Sequence, residues 1–347
     1  MIALPSQPPD VRWPTEQWDR RPLPEWADVD RLTTMLDAAV STDAELARTL
    51  GVVIVQGGAT VAERYHDTSG PDDALISWSM AKSVVHAACG AAVGRGLLDT
   101  SAPAAVPAWH RDLGDPRAVI TLDQLLRMTS GLRWVEDYVD GAVSTVIEML
   151  FGAGIDDHAA YASAFELEAS PGTTWRYSSG TSNIVARIVQ DAVGGTTDSM
   201  RTFLHESIFV PLGMTSADPR FDTAGTFVGS SYLYATAQDF ARFGLLYLRD
   251  GVWDGRRLLP AGWVDRARTV TPQSRVDEVH DYGEHWWVWR GDIATHGAFG
   301  AHGYEGQYTL VVPGLDLVVV RLGKSPAETH DALRAWMRSL VGCFDPT

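Results

Sequence analysis

Ser77-Trp78-Ser79-Met80-Ala81-Lys82 leads into Ser83-Val-Val-His-Ala-Ala-Cys-Gly-Ala-Ala-Val-Gly-Arg-Gly-Leu-Leu98, and the reading of this stretch decides the fold. The alanine- and valine-rich run predicts a buried helix that begins near Ser79. Ser79 and Lys82 are three apart at its start, and residues i and i+3 share a helix face. Their hydroxyl and amine can therefore meet. A serine hydroxyl is a weak nucleophile until a nearby base takes its proton. A lysine among Met80, Ala81, Val84 and Val85 loses solvation, which lowers its pKa and fits it to be that base. The helix N-terminus adds backbone N–H groups and a positive dipole end near Ser79, which suit developing negative charge. Ser-x-x-Lys by itself is common, as an N-cap followed by a solvated lysine. Here the flanks are apolar.

Lysine usage sharpens the point. Of 28 basic residues, all but Lys82 and Lys324 are arginine. Arginine stays protonated in proteins, whereas a desolvated lysine can lose its proton and act as a base. Lys324 lies in a loop-like Gly323-Lys324-Ser325-Pro326 context. Lys82 does not.

Outward from this helix, residues 51–56 and 59–65 read as two strands joined by a Gly57-Gly58 hairpin turn. A helix is expected over 28–49, preceded by a proline- and tryptophan-rich extended arm. Residues 282–289, 293–296, 307–312 and 317–322 read as strands, and 326–341 as a final helix. Strands at both ends with helices between predict an antiparallel sheet flanked by helices, with an inserted all-helical lobe, an α+β arrangement. The boundaries expected are 1–98 and 229–347 for the sheet lobe and 99–228 for the helical lobe. The site would lie in the cleft between them.

The bulk properties exclude several classes. The 347 residues are 45% hydrophobic and 21% charged, as in globular chains. A net charge of −16 repels phosphate backbones, so no nucleic-acid partner is expected. No run reaches about 18 apolar residues, so no membrane span is expected, and the N-terminus lacks a secretory pattern. Two cysteines, Cys89 and Cys343, make no disulfide framework. A cytoplasmic location is the expectation. The ten histidines show no H-E-x-x-H or Cys/His spacing, so no metal is implied. No dinucleotide fingerprint follows a strand, and no cofactor is expected. The oligomeric state stays open, self-association included.

Six segments, in order, carry a resemblance. Ser79-Met80-Ala81-Lys82 and its apolar helix resemble the first motif of the serine β-lactamase, penicillin-binding-protein and class C-type esterase superfamily. Ile120-Thr-Leu-Asp-Gln-Leu-Leu-Arg-Met-Thr-Ser-Gly-Leu132 resembles its hinge helix. Ser170-Pro-Gly-Thr-Thr-Trp-Arg-Tyr-Ser-Ser-Gly180 resembles its second motif. Phe209-Val-Pro-Leu-Gly-Met214 and Ser230-Ser-Tyr-Leu-Tyr-Ala-Thr-Ala-Gln-Asp-Phe-Ala-Arg-Phe-Gly244 resemble two further signatures. Ala301-His302-Gly303-Tyr304 falls where the third motif would lie. There are departures. Ser179 replaces the second motif's usual Asn, and Ala301 and His302 replace the third motif's Lys or His and its Thr. The lost cation would help hold a β-lactam carboxylate, which argues against β-lactamase or D-amino-acid peptidase action. Tyr177-Ser178-Ser179, Glu136-Asp137-Tyr138 and Gly303-Tyr-Glu-Gly-Gln307 resemble most the esterases and nylon-oligomer (aminohexanoate-dimer) hydrolases.

The resemblance implies a β-lactamase/transpeptidase-like fold and a serine hydrolase of small-molecule esters or amides. Ser79 would be the nucleophile, Lys82 the base, and Tyr177 a proton relay whose phenol is made more acidic by the neighbouring ammonium. The N–H groups of Ser79 and Tyr304 would form an oxyanion hole, the second donated by an edge strand. Ser179, His302, Gly303 and Tyr138 are the expected substrate contacts. His302 could equally be a packed core histidine, and 136–138 a solvated loop. A catalytically silent binding protein on the same fold is the rival from another class.

Overall fold

Val52, Val53, Ile54 and Val55 are all fully buried, which a strand achieves only when both faces of its sheet are covered. The computed structural model describes residues 1–41, 48–138 and 144–345. In it, β1 (Arg48–Gln56) and β2 (Ala59–Tyr65) form a hairpin whose two turn residues, Gly57 and Gly58, have φ of 60° and 79°. A two-residue turn of this hand needs positive φ twice, hence the glycine pair.

Five further strands come from the other end of the chain: β3 (His280–Tyr282), β4 (Trp287–Trp289), β5 (Phe299–Gly303), β6 (Gln307–Val312) and β7 (Leu317–Lys324). The seven-stranded sheet runs β2-β1-β7-β6-β5-β4-β3, with every pairing antiparallel. Alternation along β1 divides the core. Val52 and Ile54 pack with α1 (Val29–Ala39) and the final helix, through Leu32, Leu36, Leu333, Met337 and Leu340. Val53 and Val55 face the opposite layer, which holds α2 (Ala81–Gly94) and a long helix at Ala237–Leu248. Each such aliphatic side chain, once fully buried, stabilises the fold by about 1.5–3 kcal/mol.

Several expectations change. The first helix ends at Ala39, capped at its start by the Asp28 carboxylate on Arg31 N–H; residues 42–47 lie outside the described residues, and Arg48 and Thr49 already belong to β1. The stretch 282–289 is a hairpin, not one strand, because His285 takes a φ of 56° between β3 and β4. The stretch 293–296 lies in a 3₁₀ turn, Asp292–His296, flanked by Gly291 and Gly297 in left-handed conformation. β5 was not anticipated, since Gly300-Ala301-His302-Gly303 lacks the β-branched residues that signal a strand.

Residues 1–20 lie as an extended arm over the body. Arg268 donates to the Ile2 carbonyl at 2.6 Å, Arg249 to Gln7 at 2.9 Å, and the Trp253 indole to Thr15 at 2.8 Å. Between 99 and 228 the described chain is mainly helices and loops, with α3 at Leu122–Leu126 and α4 at Ser179–Ala192. The cleft opens between this region and the ends of α2 and β5. Among the described residues no helix is long and apolar enough to cross a membrane.

The packing of α2 generates a test. A Cβ added at Gly90 would sit 2.4 Å from the Trp263 indole nitrogen, which is held in place by donating to the His86 carbonyl. Gly90→Ala should therefore destabilise by about 1–2 kcal/mol net, overpacking outweighing the gain in helix propensity. Urea denaturation checks this; a stabilised variant would show that the Trp263 wall yields.

Candidate active site

A 3₁₀ turn at Trp78–Met80 hands the chain to α2 and sets Ser79 beside the cleft, with Lys82 in the first helical turn behind it. Lys82 is 1% exposed. Its Nζ donates to Ser79 Oγ at 2.8 Å, to Ser179 Oγ at 2.9 Å and to the Ser230 carbonyl at 2.8 Å. Those three oxygens match the three donors of an ammonium. The Ser230 carbonyl is itself fixed, because Ser230 N–H donates to Asn183 Oδ1 at 3.0 Å. Burial pulls the Lys82 amine down to about 8, against the opposing field of Glu136. The amine thus sits near its ionisation midpoint at mildly alkaline pH.

Tyr177 completes the group. The Ser79 hydroxyl acts to lower its phenol pKa, and Lys82 Nζ lies 5.0 Å from its ring centroid. The expectation of a more acidic phenol is reversed. Burial, here among Trp175, Tyr282 and Trp287, pushes the phenol well above its ordinary value, and Glu136 adds to the rise. Tyr177 is a protonated donor, not a phenolate.

Ser179 is also relocated. It does not line the cleft; it is fully buried behind Lys82 at the first position of α4. Its hydroxyl donates to Glu136 Oε1 at 2.5 Å, and its backbone N–H to Glu136 Oε2 at 2.8 Å. The same carboxylate accepts from the Trp134 indole at 2.5 Å and from the Tyr138 hydroxyl at 2.9 Å. The segment at Glu136 is therefore an anchored part of the site, not a solvated loop. Its signal was present as two separate facts, the shortened residue at 179 and a carboxylate after the Thr-Ser-Gly-Leu segment. Nothing in the spacing joins them.

The cleft itself brings Ser79, Tyr138, Tyr177, His302, Gly303 and Tyr304 together, with Trp287 beside them and Asp277 and His280 as lining residues that the sequence did not flag. Tyr304 opens the turn just beyond β5, which among the described residues is paired to β6 throughout but to β4 only at Phe299 and Gly300, so Ala301 to Gly303 have a strand on one side alone. Gly303 is required by close approach, since a Cβ there would meet the Ser77 carbonyl at 2.2 Å. Tyr138 stacks on Tyr304 with centroids 5.1 Å apart, joining the two walls of the mouth. Burial holds His302 well below its ordinary pKa, helped by His280 and Arg334, so the ring is neutral. Its Nε2 accepts from the Trp289 indole at 3.0 Å, which places the proton on Nδ1, and the ring stacks on Trp287. The third-motif position therefore offers no cation. Among the described residues no group of three or more His, Cys, Asp or Glu is placed to hold a metal.

A family model described as beta-lactamase matches residues 36–342. The chain belongs to the beta-lactamase family. Among curated relatives, the 6-aminohexanoate-dimer hydrolase of Paenarthrobacter ureafaciens is 26% identical over 292 residues, covering 79% of this chain and 72% of that one. A Bacillus anthracis structure proposed to be a 6-aminohexanoate-dimer hydrolase superposes with a TM-score of 0.73 at 22% identity, over 97% of this chain and 89% of that one. An octameric penicillin-binding protein homologue from Pyrococcus abyssi gives 0.68 at 17% identity, over 92% and 78%. These likenesses fix the beta-lactamase/penicillin-binding-protein-like fold, an antiparallel sheet flanked by helices.

With only two lysines, this beta-lactamase-family chain allows a direct titration. In a Lys324→Arg background a ¹³C-lysine resonance reports Lys82 alone. Its midpoint should lie near 8, and Glu136→Gln should lower it, because the carboxylate supports the charged amine. A midpoint at the ordinary lysine value would mean the amine is solvated.

Proposed function

We propose that this chain hydrolyses an ester or amide bond of a small molecule through an acyl-enzyme on Ser79. The observation that carries the reading is the Lys82 amine, withdrawn from water and 2.8 Å from the Ser79 hydroxyl. In its neutral form Lys82 takes the hydroxyl proton as Ser79 attacks the carbonyl carbon. The developing oxyanion is held by the backbone N–H groups of Ser79 and Tyr304. Collapse breaks the bond to the alkoxide or amine leaving group. That group takes a proton from the protonated Tyr177, and the phenolate left behind is reprotonated by the Lys82 ammonium beside its ring. Water then attacks the acyl-enzyme by the same route reversed, releasing the acid and restoring Ser79.

Two observations favour a linear amide over a β-lactam. The neutral His302 and buried Ala301 leave the third-motif position without the cation that a β-lactam carboxylate would use. The curated relative is named for hydrolysis of an aminohexanoate dimer. A protonated phenol also suits the expulsion of an amine, which leaves poorly without a proton. The acidic composition and two free, buried cysteines accord with a cytoplasmic protein that does not engage nucleic acid.

A panel of p-nitrophenyl esters, short linear amides and cephalosporins, nitrocefin among them, tests the reading. Wild type should turn over esters or amides with a burst, and Ser79→Ala should lose about 10³-fold or more in kcat. Retention of activity in Ser79→Ala removes Ser79 from the mechanism, and efficient nitrocefin turnover would return the assignment to β-lactam hydrolysis. The pH profile follows from Lys82. Only the unprotonated amine is a base, so kcat/KM should climb as pH approaches about 8 and level off above it. A profile that falls over this range would exclude the amine as the base.

A further inference from the structure

Trp78 and Glu305 share an unusual backbone setting. Both have positive φ, 46° and 59°, in the left-handed region that residues bearing a Cβ seldom occupy. Such conformations persist only where the surroundings over-determine them. The two residues are far apart in the chain, yet the Trp78 indole N–H donates to Glu305 Oε2 at 3.2 Å. Each flanks one backbone N–H that the proposed chemistry uses: Trp78 precedes Ser79, and Glu305 follows Tyr304.

The Glu305 main chain is pinned from the sheet side. Its carbonyl accepts from Arg321 at 3.0 Å and from Ser325 N–H at 3.0 Å. The neighbouring Tyr304 carbonyl accepts from Gln307 at 3.0 Å. The Tyr304 ring meets Trp78 edge-on at 5.7 Å. From this fixed base the Glu305 side chain reaches back to the residue before the nucleophile. Neither Trp78 nor Glu305 is among the residues lining the cleft. Their hydrogen bond therefore joins the two turns that present the oxyanion donors without occupying the substrate's space.

We propose that the Trp78–Glu305 hydrogen bond is a positioning clamp that sets the spacing and aim of the Ser79 and Tyr304 N–H groups. The proposal rests on the acyl-enzyme reading above. Both clamped residues sit in strained turns, so releasing the bond lets each turn relax and swings the N–H beside it. Oxyanion donors act on charge present in the tetrahedral intermediate and scarcely at all in bound substrate. The clamp should therefore govern kcat and leave KM nearly alone.

Three variants test it, assayed on p-nitrophenyl butyrate and with a fluorophosphonate probe. Glu305→Asn keeps a residue that tolerates the left-handed region but is one methylene too short to reach Trp78. Trp78→Phe keeps a ring against Tyr304 and removes the donor. Each should lower kcat by about tenfold, with KM within about twofold and phosphonylation of Ser79 slowed in parallel, since misplaced donors lose transition-state stabilisation. Glu305→Gln retains an acceptor oxygen and should hold kcat within about threefold of wild type. Thermal melting of each variant separates misfolding from misalignment, and Trp78→Phe carries the test if Glu305→Asn fails to fold. Wild-type kcat in both Glu305→Asn and Trp78→Phe, or a rise in KM at unchanged kcat, overturns the clamp. A wild-type enzyme that the probe does not label sinks the acyl-enzyme reading and the clamp with it, whereas a labelled wild type with unaffected variants sinks the clamp alone.

Discussion

A lysine amine held away from water is the constraint around which this molecule is built. Moving an ammonium into a protein interior costs several kcal/mol even after relaxation, unless oxygen atoms replace the lost hydration. Ser79, Ser179 and the Ser230 carbonyl supply that replacement, each within 2.9 Å. Holding those oxygens in place is what the surrounding elements do. The 3₁₀ turn Trp78–Met80 carries Ser79 and α2 carries Lys82, α4 begins at Ser179, and Asn183 on α4 fixes Ser230. Glu136 stands one hydrogen bond further out and favours the charged amine, while burial favours the neutral one. The balance of the two leaves the amine able to change protonation state during a reaction.

The chain's preference for arginine gains meaning beside this. Arg321, Arg242 and Arg249 are buried as well, and each is committed to fixed acceptors. Arg321 ties the Glu305 and Gly306 carbonyls to Thr49 and Ser325; Arg242 ties the Pro14 carbonyl to Asp239; Arg249 ties Gln7 and the Pro5 carbonyl to Asp316. A planar guanidinium suits such permanent work because it keeps its charge. The buried position whose ionisation midpoint is drawn down to about 8 is a lysine.

Legibility followed the range of the interactions. Ser79 and Lys82 could be read because three residues on a helix define a contact without reference to the rest of the chain. The β1–β2 hairpin could be read because Gly57-Gly58 specify a turn by themselves. Tyr177 followed from motif order, but its acidity was misjudged, because burial among Trp175, Tyr282 and Trp287 is a tertiary fact. Glu136 was invisible as an anchor for the same reason: its partners, Trp134, Tyr138 and Ser179, converge only after the helical region folds against α4. β5 escaped notice because its glycines serve close approach, to Ser77 above all, and so dilute the strand signal. The stretch 293–296 misled in the opposite sense, with strand-like residues wound into a 3₁₀ turn between two left-handed glycines.

The partnership of β1 with β7, Val53 opposite Val320 and Ile54 opposite Val319, has a consequence for biosynthesis. A ribosome emits β1 long before β7. Until β7 emerges, the run Val52 to Val55 has β2 on one side, and its other edge is open to any neighbour that offers a strand. The helical stretch in between can collapse locally as it emerges, but the two parts of the sheet join only through β7. Closing so large a loop slows assembly, and the open edge of β1 stays exposed to misassociation in the meantime.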